Sequence, residues 1–387
     1  MIEGWVSAFG TETALPAEAV PFVAARLSRP AERAAPPFVR FGDSPALARA
    51  WRKLEASASM PMQSHAFASA LASTLLAGTD IDLFFVRDDD GRLAALLPLA
   101  REPGRFARRT AIGADQVCEP HDALCLDAKA ARSLAEAIAR DGRALELDRI
   151  PAASPLIPAL REAMRGKGWT SVRPATPAPT IELDSGWKDP ASRFNSGRRS
   201  DFRRAARRAG EFGKVEFELL APRPGEFDAL FDEAVAVEAR SWKHEAGTAI
   251  AADRAKESCF RHFFRSACAD GTFRIAFMRI DGEAVAMQMA LEWKGRYWLF
   301  KIGFDEKYER CSPGTLLMLH TIGRAAERGL SAYELLGNVE PWIAQFWTRE
   351  SHDCVCLRAY PFNARGGAAF AGDAAAWLRK RLAPARA

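Results

Sequence analysis

The chain has 387 residues, 48% of them hydrophobic and 27% charged, an ordinary balance for a folded protein with room for about two domains. It has no run of about 18 apolar residues and no basic-then-apolar start after Met1, so neither a membrane span nor a secretory signal is expected and a cytoplasmic location is the default. The formal charge of +5 is local: seven arginines against Asp201 between Arg193 and Arg208 give that segment +6 (7 − 1), which excludes a generally basic protein.

Residues 1–40, rich in Ala, Pro and Arg with little periodicity, read as an N-terminal extension holding a strand and a short helix. Residues 46–54 and 64–77 follow a helical pattern. Two apolar strands, 81–86 and 93–99, flank Asp88-Asp89-Asp90-Gly91 and predict a hairpin. A helix over 130–141, a strand over 144–149 and a helix over 155–167 follow. The Pro-rich stretch 173–179 reads as a linker into a strand at 180–183. It predicts a boundary between a first domain, 41–178, and a second, 179–362, with 363–387 as a helical tail.

The arginine run predicts a helix with Arg199, Arg203 and Arg207 on one face and Phe202, Ala205, Ala206 and Ala209 toward the protein. Such a helix is either a seat for an anionic partner (CoA phosphates, a nucleotide-sugar, an acidic glycan or an anionic lipid headgroup) or a solvated basic face. Helices over 226–242 and 255–268 come next, then a second hairpin around Asp281-Gly282 with strands 272–280 and 284–291, and a third strand at 296–303. The order repeats that of the first half. It reads as two copies of one α/β unit, against the alternative of two unrelated α/β domains.

After the third strand, Ser312-Pro313-Gly314-Thr315 opens a helix over 316–328, and a short strand covers 332–336. A strand that delivers a Pro-Gly turn to a helix N-terminus gathers backbone N–H groups, which suit a phosphate. Pro313 has no N–H but costs nothing in a first helical turn. The N–H groups at 312, 314, 315 and 316 are the expected donors, with Arg310 beside them. The alternative is a Ser-capped helix with nothing bound. Glu238 and Trp242 share a helix face by i, i+4 spacing, with Lys243 and His244 beyond. Glu238, His244 and Lys243 are either candidates for proton transfer and anion contact or a solvated charged helix end beside a buried Trp. Trp342, Phe346 and Trp347 are either core or, under the resemblance given below, the wall of an acyl pocket. The seven cysteines are scattered, with no CxxC pair; Cys354 and Cys356 share a strand face, and no disulfide framework or metal is expected.

The second half resembles the BioF2-like (CelD-like) acetyltransferase domain, a branch of the GNAT superfamily. The resemblance rests on Glu238 to Lys243 with Gly247-Thr248-Ala249, on Asp281 to Ala286, on Tyr308 with Ser312-Pro313-Gly314 and Leu317, and on Glu334 to Gly337 followed by Trp347. It covers roughly residues 180–360, and the first half resembles the degenerate N-terminal lobe of the same proteins. The layout is also similar to the FemABX peptidyltransferases, which are tandem GNAT folds. The chain departs from the superfamily's Gln/Arg-x-x-Gly-x-Gly/Ala turn: Arg310 to Thr315 carries one glycine where two are expected.

The resemblance implies an α/β fold of tandem GNAT-like lobes, each a mixed central β-sheet flanked by helices. It implies an enzyme that moves an acyl group, acetyl above all, from acyl-CoA to an amine or hydroxyl of a small molecule or polysaccharide precursor. Catalysis would fall to Glu238, His244 or Tyr308. The donor would be held by the strand backbone around Ile302 and by Arg310, Ser312, Gly314 and Thr315. Trp242, Lys243, Arg203, Glu334 and Trp347 would contact substrate. The alternatives are a FemABX-like transferase using aminoacyl-tRNA, the one setting in which a nucleic acid is expected, and a non-catalytic GNAT-fold subunit in exopolysaccharide synthesis.

Overall fold

The computed structural model describes residues 38–42, 44–104, 108–241, 250–337 and 341–382. The first lobe contains β1 (Phe38–Arg40), α1 (Pro45–Leu54), α2 (His65–Ser73), β2 (Ile81–Arg87), β3 (Leu93–Arg101), β4 (Arg109–Ala111), α3 (Ala114–Val117), β5 (Leu124–Cys125), α4 (Ala128–Asp141), β6 (Leu145–Pro151) and α5 (Leu156–Ala163). A long strand, β7 (Gly168–Glu182), leads to the second lobe. There follow α6 (Ser196–Phe212), β8 (Val215–Leu220), α7 (Phe227–Ala239), α8 (Arg254–Ala269), β9 (Phe273–Ile280), β10 (Glu283–Trp293), β11 (Arg296–Phe304), α9 (Pro313–Glu327), β12 (Ala332–Glu334), α10 (Pro341–Phe346), β13 (Ser351–Pro361) and α11 (Ala364–Leu382).

Local chemistry accounts for these elements. Ser44, Asp127, Asn195 and Asp253 cap α1, α4, α6 and α8 by accepting backbone N–H groups from the first turn. Asp281 and Gly282 both take positive φ, 50° and 84°, the geometry a two-residue hairpin turn demands, and they join β9 to β10. Residues of β9 and β10 are buried on both faces, which explains their near-continuous apolar runs.

The strands form one mixed sheet in the order β1-β2-β3-β4-β6-β13-β7-β12-β11-β10-β9-β8, with β5 on β3. The two halves repeat each other. In the first, β2, β3 and β4 are antiparallel neighbours and β6 joins parallel to β4. In the second, β9, β10 and β11 are antiparallel neighbours and β12 joins parallel to β11. The fold is therefore α/β with tandem GNAT-like lobes. The lobes meet through two exchanged strands: β13, late in the chain, pairs with β6, while β7 pairs with β12, and the two exchanged strands pair with each other.

A single apolar core also crosses the junction. Trp51, Phe67 and Leu71 of the first lobe share it with Phe231, Phe260, Phe263 and Phe300 of the second. Phe67 meets Phe263 edge-on at 5.2 Å. Lys294, in the turn between β10 and β11, donates to the carbonyls of Glu55, Ala56 and Ala58 at 2.9, 2.7 and 2.6 Å. That ammonium caps the carbonyl end of the turn after α1 and fastens one lobe to the other.

Several expectations need correction. The Pro-rich stretch 173–179 is not a linker but the middle of β7, laddered to β13 through Pro174↔Val355 and Pro179↔Ser351. Pairing with β12 starts only at Thr180, so the proline region has one partner strand and a missing N–H is tolerated. The helix expected over 226–242 ends at Ala239, and Ala206 faces solvent while Phe202, Ala205 and Ala209 are buried. The helical tail expected over 363–387 is α11, which runs from Ala364 to Leu382. The extension before residue 38 lies outside the described residues.

Candidate active site at the junction of the two lobes

Strand β11 pairs with β10 along its whole length, but its register steps from Met289↔Lys301 to Ala290↔Leu299, which makes Phe300 the extra residue of a bulge. On its other side the parallel ladder to β12 covers only Arg296↔Ala332 to Trp298↔Glu334. Past Glu334 the chain leaves β11: the Leu335 N–H donates to the Pro179 carbonyl at 3.0 Å, and Leu336 and Gly337 take positive φ of 51° and 57°. The two central strands of the second lobe thus diverge at Glu334, and the segment 335–337 bends toward the first lobe.

The first lobe meets that divergence with charge. Arg149, at the end of β6 with φ 55°, is buried and donates to the carbonyls of Gly337 (2.7 Å), Thr176 (3.2 Å) and Cys118. Cys118 is itself strained, with φ 59°. The guanidinium of Arg149, itself in left-handed backbone, therefore binds the carbonyls of left-handed Cys118 and of Gly337, the residue after left-handed Leu336, and strain at such non-glycine positions persists only where the surroundings over-determine it. Next to Cys118, Glu119 is 3% exposed and accepts the Gly337 N–H at 3.3 Å. Burial raises its pKa to about 7, against the pull of Lys301 and Arg149.

Lys301 is the counterpart on β11. Its pKa is lowered by burial, while Glu119 and Glu238 hold it up, and its ammonium stands 4.2 Å from the centre of the Phe260 ring. Glu238, near the end of α7, is buried and accepts the Ile250 N–H at 2.8 Å. Two residues after Glu119, His121 is buried, and neither ring nitrogen has a hydrogen-bond partner among the described residues. Burial and the Arg149 charge lower its pKa to about 3. Asp122 is pushed up to about 7, also by burial, while accepting from Ser154 at 2.7 Å. A buried carboxyl that titrates near neutrality, beside a lysine whose pKa burial lowers, suits proton transfer.

The turn before α9 offers less to an anion than its sequence suggests. Ser312 sits in left-handed backbone, φ 47° and ψ 56°, and its hydroxyl does not cap the helix. Its N–H donates to the Glu309 carbonyl at 2.8 Å, and the N–H groups of Thr315 and Leu316 return to the Ser312 carbonyl at 3.0 and 3.2 Å. The left-handed residue folds the turn onto itself and engages three of the four expected donors. Gly314 is the one without such a bond among the described residues. A Cβ there would meet Phe304 of β11 at 3.4 Å, so the turn and the strand end lie together. The arginine helix α6 adjoins: Arg208 donates to the Arg310 carbonyl at 3.2 Å, and Arg310 itself is exposed.

The other sequence-derived candidates separate into groups. Trp242, Lys243 and His244 lie outside the described residues. Ile302 is on β11 beyond the bulge, partly buried. Tyr308 is buried beneath α6, edge-on to Phe212, and its hydroxyl donates to Glu283 at 3.3 Å. Arg203 is exposed on α6. Glu334 is buried at the divergence, paired with Arg296 and with His352 at 3.0 Å. Trp347 packs edge-on to Phe194 at 5.9 Å within the core, so the core reading of that aromatic holds. Sequence reasoning missed Glu119, Arg149 and Lys301. Glu119-Pro120-His121-Asp122 was the available signal: three titratable groups in a loop next to a proline.

Residues 196–342 match the family model of the acetyltransferase (GNAT) domain, a span that holds α6, the β9–β11 meander, α9 and β12. No curated protein matches the sequence. Among solved structures, a Bacteroides thetaiotaomicron protein of unknown function is similar in fold at TM-score 0.52 and 10% identity, over 84% of this chain and 99% of its own. FemX is similar at TM-score 0.51 and 10% identity, over 82% of this chain and 96% of its own. At such identity these likenesses describe the fold alone.

Proposed function

We propose that the chain is an acyltransferase that moves an acyl group from acyl-CoA to an amine or hydroxyl of a small molecule or saccharide precursor, with the chemistry at the lobe junction. The observation that carries this reading is the divergence of β11 from β12 beside a buried Glu119 whose carboxyl titrates near pH 7. Acyl-CoA, when bound, supplies an acyl group activated as a thioester. The residues fit such a donor in part: Gly314 offers one backbone N–H, and Arg310 and Arg208 bring positive charge to the same turn.

Glu119, once ionised, would take the proton that the acceptor nitrogen or oxygen loses as its bond to the carbonyl carbon forms and the carbon–sulfur bond breaks, and that proton would pass on to the departing thiolate to give the free thiol. Lys301 places a cation near the carbonyl oxygen as charge develops there. The core shared by the two lobes keeps water from the junction, which strengthens both interactions. Glu238 fixes the end of α7 against β11, a positioning role consistent with its burial and its bond to Ile250.

Thiol release from acetyl-CoA and longer acyl-CoA species over a panel of amines and aminosugars tests the proposal. Glu119→Gln should lower kcat by about 10²-fold or more while leaving donor binding intact. Unchanged turnover in that variant would remove Glu119 from the chemistry. A second reading, aminoacyl transfer from tRNA, draws support from the internally satisfied turn and the arginine-rich α6. Strongly salt-dependent RNA binding without any response to CoA would favour it.

A further inference from the structure

Among the described residues, nothing covers an apolar face of the last helix, and cations border it. Its first half is fixed. Gly366 lies so close to Pro361 that a Cβ would collide with the Pro361 carbonyl oxygen. Asp373 accepts from Tyr360 Oη at 2.6 Å and Arg108 Nη2 at 2.7 Å, and pairs with Arg358 at 3.4 Å. Beyond that anchor the helix continues for more than two turns, to Leu382.

On this continuation Trp377, Leu378 and Leu382 are exposed, and Phe370, just before the anchor, lies on the same side. Phe370, Trp377, Leu378 and Leu382 fall at i, i+7, i+8 and i+12, one side of a helix, and are 44%, 48%, 50% and 80% exposed. Trp169 of β7, 49% exposed and 5.2 Å from Phe370, extends the patch. Isolated exposed apolar residues are ordinary, whereas a contiguous aromatic and leucine patch at one end of a molecule signals a contact surface. The charge is as uneven as the apolarity. Residues 363–387 hold Arg365, Arg379, Lys380, Arg381 and Arg386 against Asp373, a net of +4 (5 − 1), and Asp373 is already neutralised by Arg108 and Arg358. Arg381 lies 4.9 Å from the centre of the Trp377 ring, so a cation borders the apolar face directly.

From these observations we infer that α11 is a peripheral membrane anchor, which lies in the interface of a bilayer containing anionic lipid. Trp377, Leu378, Leu382 and Phe370 enter the acyl boundary, and Arg379 and Arg381 meet lipid phosphates. An apolar aromatic face bordered by arginines is the pattern that partitions to such an interface, and the net positive charge selects an anionic surface over a second copy of this equally cationic helix. The inference is independent of the acyl-transfer reading.

Co-sedimentation of the full chain with phosphatidylcholine vesicles, with and without 30% phosphatidylglycerol, tests it. The chain should pellet with the anionic vesicles and be released by about 0.5 M salt. The triple variant Trp377→Ser, Leu378→Ser, Leu382→Ser should bind at least about tenfold more weakly, with its thermal midpoint unchanged because those side chains already face water. Arg379→Glu with Arg381→Glu should remove the preference for the anionic vesicles. Failure of the wild type to bind anionic vesicles would overturn the inference, as would equal binding by the triple variant. Light scattering that shows a dimer lost in the triple variant, without vesicle binding, would assign the patch to a second copy instead.

Discussion

Gly303 of β11 touches the backbone of Glu238: a Cβ at 303 would stand 3.0 Å from both Cα and Cγ of that glutamate. The strand and α7 meet without an intervening side chain just where β11 has parted from β12. The junction geometry therefore depends on a hydrogen atom at one position.

Gly303→Ala should destabilise the fold by about 1–3 kcal/mol, the usual cost of inserting a methyl into a packed contact, since the atoms it meets are helix backbone and stem and not a flexible tip. Urea unfolding measures this. Because the inserted methyl pushes on α7, turnover should fall with the stability. A variant as stable as the wild type would mean that α7 can retreat at no cost.

The Glu119 carboxyl makes stability depend on pH in a defined direction. Its pKa is raised from 4.5 to about 7 by burial, so between those values the native chain keeps a proton that the unfolded chain releases. Its contribution is complete below about pH 4.5 and is lost as pH rises to about 7, at a total cost of roughly 3 kcal/mol. Glu119→Gln, which cannot ionise, should match the wild type near pH 4.5 and exceed it by up to that amount at pH 8, while turnover collapses. Stability gained where activity is lost is the mark of a functional carboxyl. Equal pH profiles for the two proteins would show that Glu119 does not titrate near neutrality.

Glu334 and His352 shift in opposite senses, each held charged by the other. The hydrogen bond that His352 donates to Glu334 raises the His352 pKa above 6.5. Burial pushes the Glu334 pKa up, but His352 and Arg296 together bring it below 4.5. The His352 contribution is full below 6.5 and fades as pH climbs through its raised pKa; the Glu334 contribution is full above 4.5 and fades as pH drops through its lowered one. The pair thus acts fully between about 4.5 and 6.5. His352→Ala should lower the thermal midpoint more at pH 5.5 than at pH 8.5. The same loss at both values would reduce His352 to a packing residue.

The architecture was largely legible in the chain because its signals are local. Alternation around Asp281-Gly282 and Asp88 to Gly91 fixes two hairpins, and the repeated order of elements reports the two lobes. The exchange of β7 and β13 was not legible: the prolines of 173–179 mimic a linker, and nothing local tells that a strand from the far end of the chain lies beside them. The junction was hidden for the same reason. Glu119 and Lys301 are 182 positions apart in sequence (301 − 119), and only the parting of β11 from β12 brings the two lobes' charges within reach. The turn at Ser312 shows the reverse case. Its sequence promised four donors, yet a left-handed serine engages three of them internally.

Thermal unfolding with millimolar acetyl-CoA, for the wild type and for Gly314→Trp, tests the donor site most directly. A ligand that binds only the folded chain raises the midpoint, by the equivalent of about 2.7 kcal/mol at a hundred times its Kd. The account predicts a clear rise for the wild type, shared by free CoA and absent in Gly314→Trp, where the indole would fill the space between the turn and Phe304. No rise with any CoA species in the wild type would contradict it.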